Sequence, residues 1–332
     1  MKMNFGIIGY GKMGKIYYDV ILSMGGTVGF ICDVIKQEKD IEFYSDYKEA
    51  IDKCVVDGIV ISTYGPSHYD IMSYAIEKEL KYIVCEKPFT TSVKQADEII
   101  NKISKSKTRL TVNYSRRFST AYLDLKAKLN KKNMIGKPCS VIITCGAGGL
   151  STIGTHFFDL CSFLLGSRVK SVYSVRIDKK LPNPRGDGFE DPGGYILLNF
   201  ENEGRAYLDF GDDLGLQPLI EIIGEYGRVI IDELNNNITI CGRSKEDRNK
   251  PKNLYGLPNP IITSESFRIG TMNELILKMM KNILSKSDLI VNAELAKDKV
   301  EIYSAIRQSF DTKQTTHLPL KTEYYEKEFM VT

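Results

Sequence analysis

The sequence predicts an α/β protein in which a doubly wound parallel sheet precedes an α+β domain with an open, mainly antiparallel sheet. Over the first 118 residues, short apolar runs alternate with segments whose apolar residues have helical spacing, which is typical of strand–helix–strand units. From Cys139 onward, strand-like runs follow one another, separated by Gly, Pro, Asn and Asp, which indicates antiparallel strands. We therefore expect one domain over 1–118 and a second over 119–332, whose C-terminal helices can pack back on the first.

The first strand and helix are joined by a glycine pattern. Residues 5–8 form an apolar run, and Gly9, Gly11 and Gly14 follow with G-x-G-x-x-G spacing at the start of a helix predicted over 12–24. In this pattern the first glycine allows a tight turn, the second lets the backbone approach a pyrophosphate, and the third lets the helix pack closely on the strand. The helix N-terminus then faces the anion. This unit predicts a Rossmann domain that binds a dinucleotide.

Asp33 ends the second predicted strand, which covers 28–32. A carboxylate about 20 residues beyond the last glycine accepts hydrogen bonds from the hydroxyls of the adenosine ribose. The alternative is an ordinary aspartate at a strand end. No arginine follows Asp33 immediately, and its negative charge would repel a 2′-phosphate, so NAD is favoured over NADP.

The remaining elements of the first sheet follow in order. Strands are predicted over 58–63, 82–85 and 110–114, and helices over 47–53, 67–78 and 92–105. Ligands of doubly wound sheets bind outside the carboxyl ends of the strands. The residues at such ends are Asp33, Thr63, Lys87 and Tyr114.

A helix over 118–130 links the two parts, and the second part is rich in strands. Strands are predicted over 139–145, 169–177, 194–200, 205–210, 219–223, 228–232 and 238–241, and helices over 155–165, 270–285 and 292–310. The segments 181–192 and 243–260 are predicted to be loops. The first of them could lie over a site or simply be a mobile loop.

Lys87 and His156 are the strongest candidates for chemistry. Lys87 follows a buried strand and precedes Pro88; beside a nicotinamide, its amine could act as an acid or base at a substrate hydroxyl. Glu86 could hold this lysine or contact the cofactor amide. His156 begins the helix over 155–165, where the helix N-terminus would lower its pKa and let it exchange a proton with a hydroxyl. The alternatives are a lysine at a strand end and a histidine that caps a helix.

Four further residues are weaker candidates. Asp159 lies one helical turn beyond His156, within reach of a side chain at the helix start. Tyr114 and Arg117 follow the last strand of the first sheet, where they could meet substrate or nicotinamide; an interdomain contact and a surface salt bridge are the alternatives. His68 is as consistent with a residue at a helix start as with a functional one.

Composition excludes several classes of protein. A net charge of +3 argues against a nucleic-acid partner or a membrane surface. The seven cysteines include no C-x-x-C pair and the three histidines lack zinc-ligand spacing, so we expect no metal site and a reducing compartment, with the cytoplasm as the default. No apolar stretch approaches the roughly 20 residues that cross a bilayer.

Several segments together resemble the glucose-fructose oxidoreductase and inositol dehydrogenase (Gfo/Idh/MocA) family. GIIGYGKMG at 6–14 resembles the family's cofactor turn, TYGPSH at 63–68 its T-P-N-x-x-H segment, and KYIVCEKP at 81–88 the strand that leads into its E-K-P motif. NYSRRF from residue 113, IGKP from 135 and GTHFFDLCSFLLG at 154–166 resemble its later landmarks, the last being its G-x-H-x-x-D helix. The resemblance covers most of the chain.

The resemblance implies an NAD-dependent oxidoreductase that acts on a secondary hydroxyl of a sugar, an inositol or a nucleotide-linked sugar. It implies a small carbohydrate partner, Lys87 and His156 as the catalytic pair, and a homo-oligomer, a dimer or tetramer, packed through the C-terminal sheet. The expected cofactor-binding residues are Gly9, Gly11, Lys12, Met13, Asp33, Thr63, His68 and Glu86. The expected substrate-binding residues are Lys87, Tyr114, Arg117, Thr152, His156 and Asp159.

Two positions depart from the family's pattern. Thr152 stands four residues before the histidine, where the family commonly has Asp or Asn, so it cannot supply a negative charge beside Lys87. Tyr64 replaces the usual proline and would place a ring near the nicotinamide or the cleft between domains. Two other functions therefore stay open: a non-catalytic NAD(H)-binding sensor or partner protein, and a redox-neutral NAD-dependent glycosidase, which rests on fold analogy alone.

Overall fold

The computed structural model describes residues 3–36, 40–131, 134–146, 148–177, 186, 188–215, 217–251 and 260–331. Its N-terminal part is built on a parallel sheet. The strands are β1 (Asn4–Ile8), β2 (Thr27–Cys32), β3 (Phe43–Tyr44), β4 (Gly58–Ile61), β5 (Tyr82–Cys85) and β6 (Arg109–Val112). The helices between them are α1 (Lys12–Ser23), α2 (Tyr47–Lys53), α3 (His68–Glu77) and α4 (Val93–Ser104).

The six strands are hydrogen-bonded in the order β3-β2-β1-β4-β5-β6, and each neighbouring pair is parallel. β1, β4 and β5 are buried almost throughout because helices cover both faces of the sheet. The chain order reverses between β1 and β4, and the crevice outside the carboxyl ends of these two strands is where such sheets bind ligands.

The second part of the chain forms a nine-stranded sheet. After α5 (Thr120–Asn130), its elements are β7 (Pro138–Thr144), α6 (Thr155–Leu165), β8 (Val169–Ile177), β9 (Gly193–Phe200), β10 (Arg205–Asp209), β11 (Leu219–Gly224), β12 (Gly227–Asp232), β13 (Asn237–Gly242), β14 (Ile261–Ser266), α7 (Met272–Leu284), α8 (Ala293–Thr312) and β15 (Thr316–His317). The strand order is β14-β13-β12-β11-β7-β10-β9-β8-β15. Only β7 and β10 pair in parallel within the described sheet, and their neighbours pair antiparallel.

One face of this sheet is covered by α6 and α8, and the opposite face is open. Along β9, Ile196, Leu198 and Phe200 are buried beneath the helices, while Leu197, on the other face, is 42% exposed. This alternation follows from the two-residue period of a strand with one buried face. The fold class predicted from the sequence, a parallel doubly wound sheet followed by an open, mainly antiparallel one, is confirmed.

The two C-terminal helices pack against the N-terminal sheet layer. α7 lies against α1, and α8 lies against α4. Hydrogen bonds accompany this packing: Thr111 donates through Oγ1 to the Val291 carbonyl at 2.8 Å, and Arg109 donates through Nε to the Ile283 carbonyl at 2.9 Å. A salt bridge of 2.6 Å between Lys297 and Asp97 adds a further link between the two parts of the chain.

Three of the described strands were not predicted from the sequence. β3 and β15 contain two residues each, too few to show a period. β14 is exposed along its whole length at the edge of the second sheet, so its sequence IITSES carries no alternation of buried and exposed residues. In the predicted loop over 181–192, residues 181–185 and 187 lie outside the described part of the chain, as do 252–259 in the loop over 243–260. No helix in the described ranges is long and apolar enough to cross a membrane.

Candidate active site

The first and third glycines of the G-x-G-x-x-G turn are required by close backbone contacts. Gly9 has a φ of +89°, and a Cβ there would lie 2.6 Å from the Ser62 carbonyl carbon. A Cβ on Gly14 would lie 2.2 Å from the Gly9 carbonyl oxygen. Because neither position can hold a larger side chain, these two glycines allow β1, β4 and α1 to meet at the crevice.

Gly11 is not required by the protein's own packing. A Cβ built on it would meet no heavy atom of the described residues within 4 Å. Gly11 is also the N-cap of α1, and as a glycine it has no side chain to cap the helix; the first turn, with Lys12 and Met13, contains no acidic residue. The amides and the positive dipole end of α1 thus face open space, which fits an approaching pyrophosphate.

Asp33 lies beside the same turn. Its carboxylate accepts a hydrogen bond from the backbone N–H of Tyr10 through Oδ2 and one from the N–H of Ile35 through Oδ1, at 3.0 Å. The next two side chains, Val34 and Ile35, are 91% and 68% exposed. A carboxylate held next to the glycine turn, flanked by exposed apolar groups, fits a ribose with its adjoining base, so the residues present fit NAD.

Glu86 is buried at the end of β5. Its Oε1 accepts hydrogen bonds from the Tyr17 hydroxyl at 2.9 Å and from the Asn113 amide at 2.8 Å. Burial raises the pKa of the Glu86 carboxyl above its ordinary value. Tyr17 and Asn113 cannot be selected from the sequence, since nothing in their local patterns marks them as partners of Glu86.

His68 is fully buried, and its ring joins two strand ends. Nδ1 lies 2.7 Å from the Pro88 carbonyl oxygen and Nε2 lies 3.1 Å from the Thr63 carbonyl oxygen. Burial lowers the pKa of the imidazole. Both ring nitrogens face backbone carbonyls, so the ring braces the segment that carries Lys87. That His68 also binds the cofactor stays a prediction.

Lys87 reaches across to the second part of the chain. Its Nζ donates a hydrogen bond to the Thr152 carbonyl at 2.9 Å. Thr152 lies in a single π-helical turn, Gly149–Gly154, that runs directly into α6. Thr152 is therefore held to Lys87 through its backbone, and the residue one helical turn further on is His156.

His156 is placed by the same turn, and its environment favours the neutral ring. Burial and the positive charges of Lys87 and Arg116 lower the pKa of the imidazole well below 6.5. The sequence predicts such a shift from an open helix N-terminus. In the structure the π-helical turn precedes α6, so His156 does not lie at an open helix end. Its Nδ1 is buried and has no hydrogen-bond partner among the described residues.

Tyr114 lies against His156. The two rings meet edge to face with centroids 6.0 Å apart, and the tyrosine is buried. Its hydroxyl has no hydrogen-bond partner within the described ranges, and burial raises its pKa well above the ordinary value. Tyr114 thus packs behind His156, at the boundary between the two parts of the chain.

Arg117 and Asp159 form a buried ion pair. Arg117 donates through Nε to both carboxylate oxygens of Asp159, at 2.9 and 2.8 Å. The Lys299 ammonium, on α8, lies 3.8 Å from the same carboxylate, and the Lys299 and Asp159 side chains are each 2% exposed. That Arg117 and Asp159 meet the substrate stays a prediction; in the structure their charges are directed at each other and at Lys299, which the sequence pattern does not reveal.

Tyr64 lies at the cleft between the two parts. Its ring packs edge to face against Phe189, with centroids 5.2 Å apart, and the residue is 52% exposed. The carbonyl oxygen of Thr63, directly before it, is the one that faces Nε2 of His68. Phe189 belongs to the segment that precedes β9, so a residue of the first sheet layer and one of the second border the same opening.

The site as a whole can bind a dinucleotide and move a proton. The glycine turn and Asp33 fit the pyrophosphate and ribose, and Lys87 and His156 bring an amine and a neutral imidazole together from the two parts of the chain. No group of three or more His, Cys, Asp or Glu side chains in the described part of the chain could hold a metal ion. All seven cysteines are free thiols.

Comparisons with known proteins agree with this assignment of class. A model described as an oxidoreductase family with an NAD-binding Rossmann fold matches residues 3–114, and one described as the C-terminal alpha/beta domain of that family matches 144–318. Fold and site thus define an NAD-binding oxidoreductase. The chain belongs to the Gfo/Idh/MocA family.

Relatives and solved structures match nearly the whole chain. A myo-inositol 2-dehydrogenase from Thermotoga maritima is 22% identical over 343 aligned positions, covering 95% of this chain and 98% of that protein. An oxidoreductase from Agrobacterium radiobacter, solved with NAD+, L-tartaric acid and magnesium, has a TM-score of 0.77 at 18% identity, over 96% of this chain and 98% of that chain. The WlbA dehydrogenase from Bordetella pertussis, solved with NADH and UDP-GlcNAcA, has a TM-score of 0.74 at 16% identity, over 97% and 100%. These structural likenesses show a shared fold.

Proposed function

We propose that the protein is an NAD-dependent dehydrogenase that oxidises a secondary hydroxyl of an inositol, a sugar or a nucleotide-linked sugar. The observation that carries the proposal is the meeting of Lys87, from the end of β5, with the turn that leads into His156. The two groups come from separate parts of the chain, and Lys87 follows the carboxyl end of β5, the side of the sheet on which such folds bind ligands. The T. maritima relative is named as an inositol dehydrogenase, which favours a polyol as the substrate class.

The proton is handled by Lys87 and His156 in this proposal. When bound at the glycine turn and Asp33, NAD would supply the hydride acceptor for the carbon that bears the hydroxyl. His156 accepts the hydroxyl proton, because its lowered pKa keeps the ring neutral at physiological pH. Lys87, oriented by the Thr152 carbonyl, is placed to donate a hydrogen bond to the oxygen as it loses that proton. The chain thus contributes position and proton transfer, and the cofactor contributes the redox chemistry.

The function is tested by the near-ultraviolet absorbance of NADH, with the enzyme and NAD at near-stoichiometric concentrations. Myo-inositol, UDP-GlcNAcA and chromatographic fractions of host small molecules are added in turn. We expect NADH to form with the polyol or with one fraction. A flat trace from protein that still binds NADH would contradict the proposal. Cleavage of a glycosidic bond without net NADH would then indicate the redox-neutral glycosidase, and the lack of any reaction the binding protein.

The acid limb of the pH–rate profile, which is the fall in turnover on acidification, should lie at low pH. The neutral imidazole is the active base, and protonation inactivates it, so a pKa lowered below 6.5 moves the loss of activity to lower pH. We expect turnover to stay constant on acidification to about pH 6.5, the ordinary value of histidine, and to fall only below it. The pH–rate profile measures this.

His156→Asn supplies the control for the pH profile, because it should remove the acid limb along with most of the activity.

Folding stability should also fall on acidification below about pH 6.5. The pKa of His156 is lower in the folded state, so the unfolded chain binds more protons than the folded chain in this range. A thermal melt at each pH separates the two effects. An acid limb at or above pH 6.5 in folded protein would exclude His156 as the base.

Assembly through the second sheet stays a prediction. Its open face carries Leu197 and Leu219, which are 42% and 44% exposed, beside the tilted rings of Tyr195 and Tyr207. Exposed apolar side chains of this kind favour contact with a second copy of the sheet. Light scattering of the purified protein would measure the oligomeric state.

A further inference from the structure

Asp191 holds the turn that contacts Lys87. It lies just before β9, about 40 residues from that turn along the chain. Its Oδ1 accepts a hydrogen bond from the Ser151 backbone N–H at 2.6 Å, and its Oδ2 accepts one from the Thr152 N–H at 2.9 Å. A carboxylate that accepts from two backbone amides makes strong, charge-assisted hydrogen bonds, so this contact restrains the backbone of both residues.

Gly149 makes room for this carboxylate. Gly149 has a φ of +68°, and a Cβ built on it would lie 2.1 Å from Oδ2 of Asp191. Any other residue would displace the carboxylate as well as strain the backbone. The glycine therefore serves the contact with Asp191, an explanation that the local sequence GAGGL does not itself provide.

Asp191 is anchored from its other side as well. The neighbouring Glu190 forms salt bridges with Arg307 at 2.6 Å and with Arg176 at 3.2 Å. The backbone N–H of Glu190 donates to the Met330 carbonyl at 3.0 Å. α8, β8 and the C-terminal segment thus hold the residue next to Asp191, so its carboxylate has a defined position when it meets the turn.

We propose that Asp191 is a positioning residue for Lys87. Thr152 is held on both sides: its N–H by Asp191 and its carbonyl by the Lys87 ammonium, each at 2.9 Å. Asp191 fixes the turn, and the turn fixes the lysine at the cleft. This inference rests on the proposed role of Lys87 for its catalytic consequence, but its structural part does not depend on that role.

The test compares Asp191→Ala and Asp191→Asn with Asp212→Asn. Asp212 is a matched control because it is a half-buried acid close enough to Asp191 for each charge to affect the other, and its carboxylate accepts a hydrogen bond from the Gly193 N–H. The first readout is the rate at which an N-hydroxysuccinimide ester acetylates Lys87, measured by mass spectrometry relative to the exposed Lys81. The others are amide hydrogen exchange over 149–154, NADH affinity and turnover.

In Asp191→Ala we expect Lys87 to be acetylated several-fold faster and the amides of Ser151 and Thr152 to exchange faster. Turnover should fall by about tenfold or more, since small displacements of a catalytic group are costly, while NADH affinity is unchanged. Asp191→Asn should be intermediate, because its amide offers one acceptor oxygen in place of two. Asp212→Asn should match the wild type.

Unchanged Lys87 reactivity in Asp191→Ala would overturn the proposal. An equal effect of Asp212→Asn on Lys87 acetylation would also overturn it, since the cause would then be the loss of a nearby negative charge and not the loss of the contact with the turn. If Asp191→Ala fails to fold, Asp191→Asn and Gly149→Ala perturb the same contact and carry the same test. Acetylation of Lys87 could be faster in Asp191→Ala while turnover proves not to depend on Lys87. That result would support the positioning role of Asp191 and reject only the proposed function.

Discussion

Lys87→Met is expected to lower turnover by about a hundredfold or more while leaving NADH binding intact. Methionine keeps the length of the side chain but removes the amine that contacts the Thr152 carbonyl and faces the cleft. Turnover is measured by NADH formation under saturating NAD and substrate. NADH binding is measured by the fluorescence of the cofactor itself, free of tryptophan background because the chain has no tryptophan.

Lys81→Met is the matched control for this prediction. Lys81 precedes the same strand, and its side chain is 71% exposed in a salt bridge with Asp57. Its replacement should leave turnover unchanged, because exposed ion pairs contribute little. Near-normal turnover in Lys87→Met would rule out Lys87 as a catalytic residue. Loss of NADH binding in that variant would instead place the lysine in the cofactor site.

Asp159→Ala is expected to lower the free energy of unfolding by about 3–5 kcal/mol. Asp159 is the carboxylate that Arg117 contacts through both oxygens, with Lys299 3.8 Å away. Removing it leaves two cations without their partner in a region where Lys299 is almost completely buried, and an unpaired buried charge is far more costly than an unpaired exposed one. Urea denaturation followed by circular dichroism measures the change.

Asp298→Asn provides the comparison for Asp159→Ala. Asp298 neighbours Lys299 on α8 and pairs with Arg168, whose side chain is 65% exposed. The loss there should stay below about 1 kcal/mol. If Asp159→Ala were as mild as this control but abolished turnover, Asp159 would be a substrate-binding residue, as the sequence analysis first expected, and the structural role given to the ion pair would be incorrect.

Much of the fold could be predicted because its signals are local. The buried strands β1, β4 and β5 are apolar runs, and α4 shows its face by the spacing of Val93, Ala96 and Ile99. The requirement for glycine at positions 9 and 14 could also be predicted, because this turn geometry recurs with the same glycine spacing. Where these signals were weak, as in the exposed edge strand β14, the prediction failed.

The ion-pair partners of charged residues were the main feature that the sequence could not predict. Arg116 donates two hydrogen bonds to Glu233, at 2.8 and 2.6 Å, across more than a hundred residues, and Tyr122 donates to the same carboxylate. A local reading of the NYSRRF segment cannot find such a partner, because nothing within a helical turn or a strand period of Arg116 indicates where Glu233 will lie. Arg116 matters to the site, since its charge helps to keep His156 neutral.

The sequence by itself determined the α/β class and the glycine turn with Asp33, and it singled out Lys87 and His156, whose catalytic role stays a proposal. Each of these depends on residue types at short, regular spacings, which local backbone geometry translates directly into position. Only the tertiary structure decided that His68 is a buried brace, that Asp159 is neutralised by Arg117 and Lys299, and that Asp191 holds the Thr152 turn. Those roles depend on contacts between residues far apart in the chain, and such contacts exist only after the two sheets have packed together.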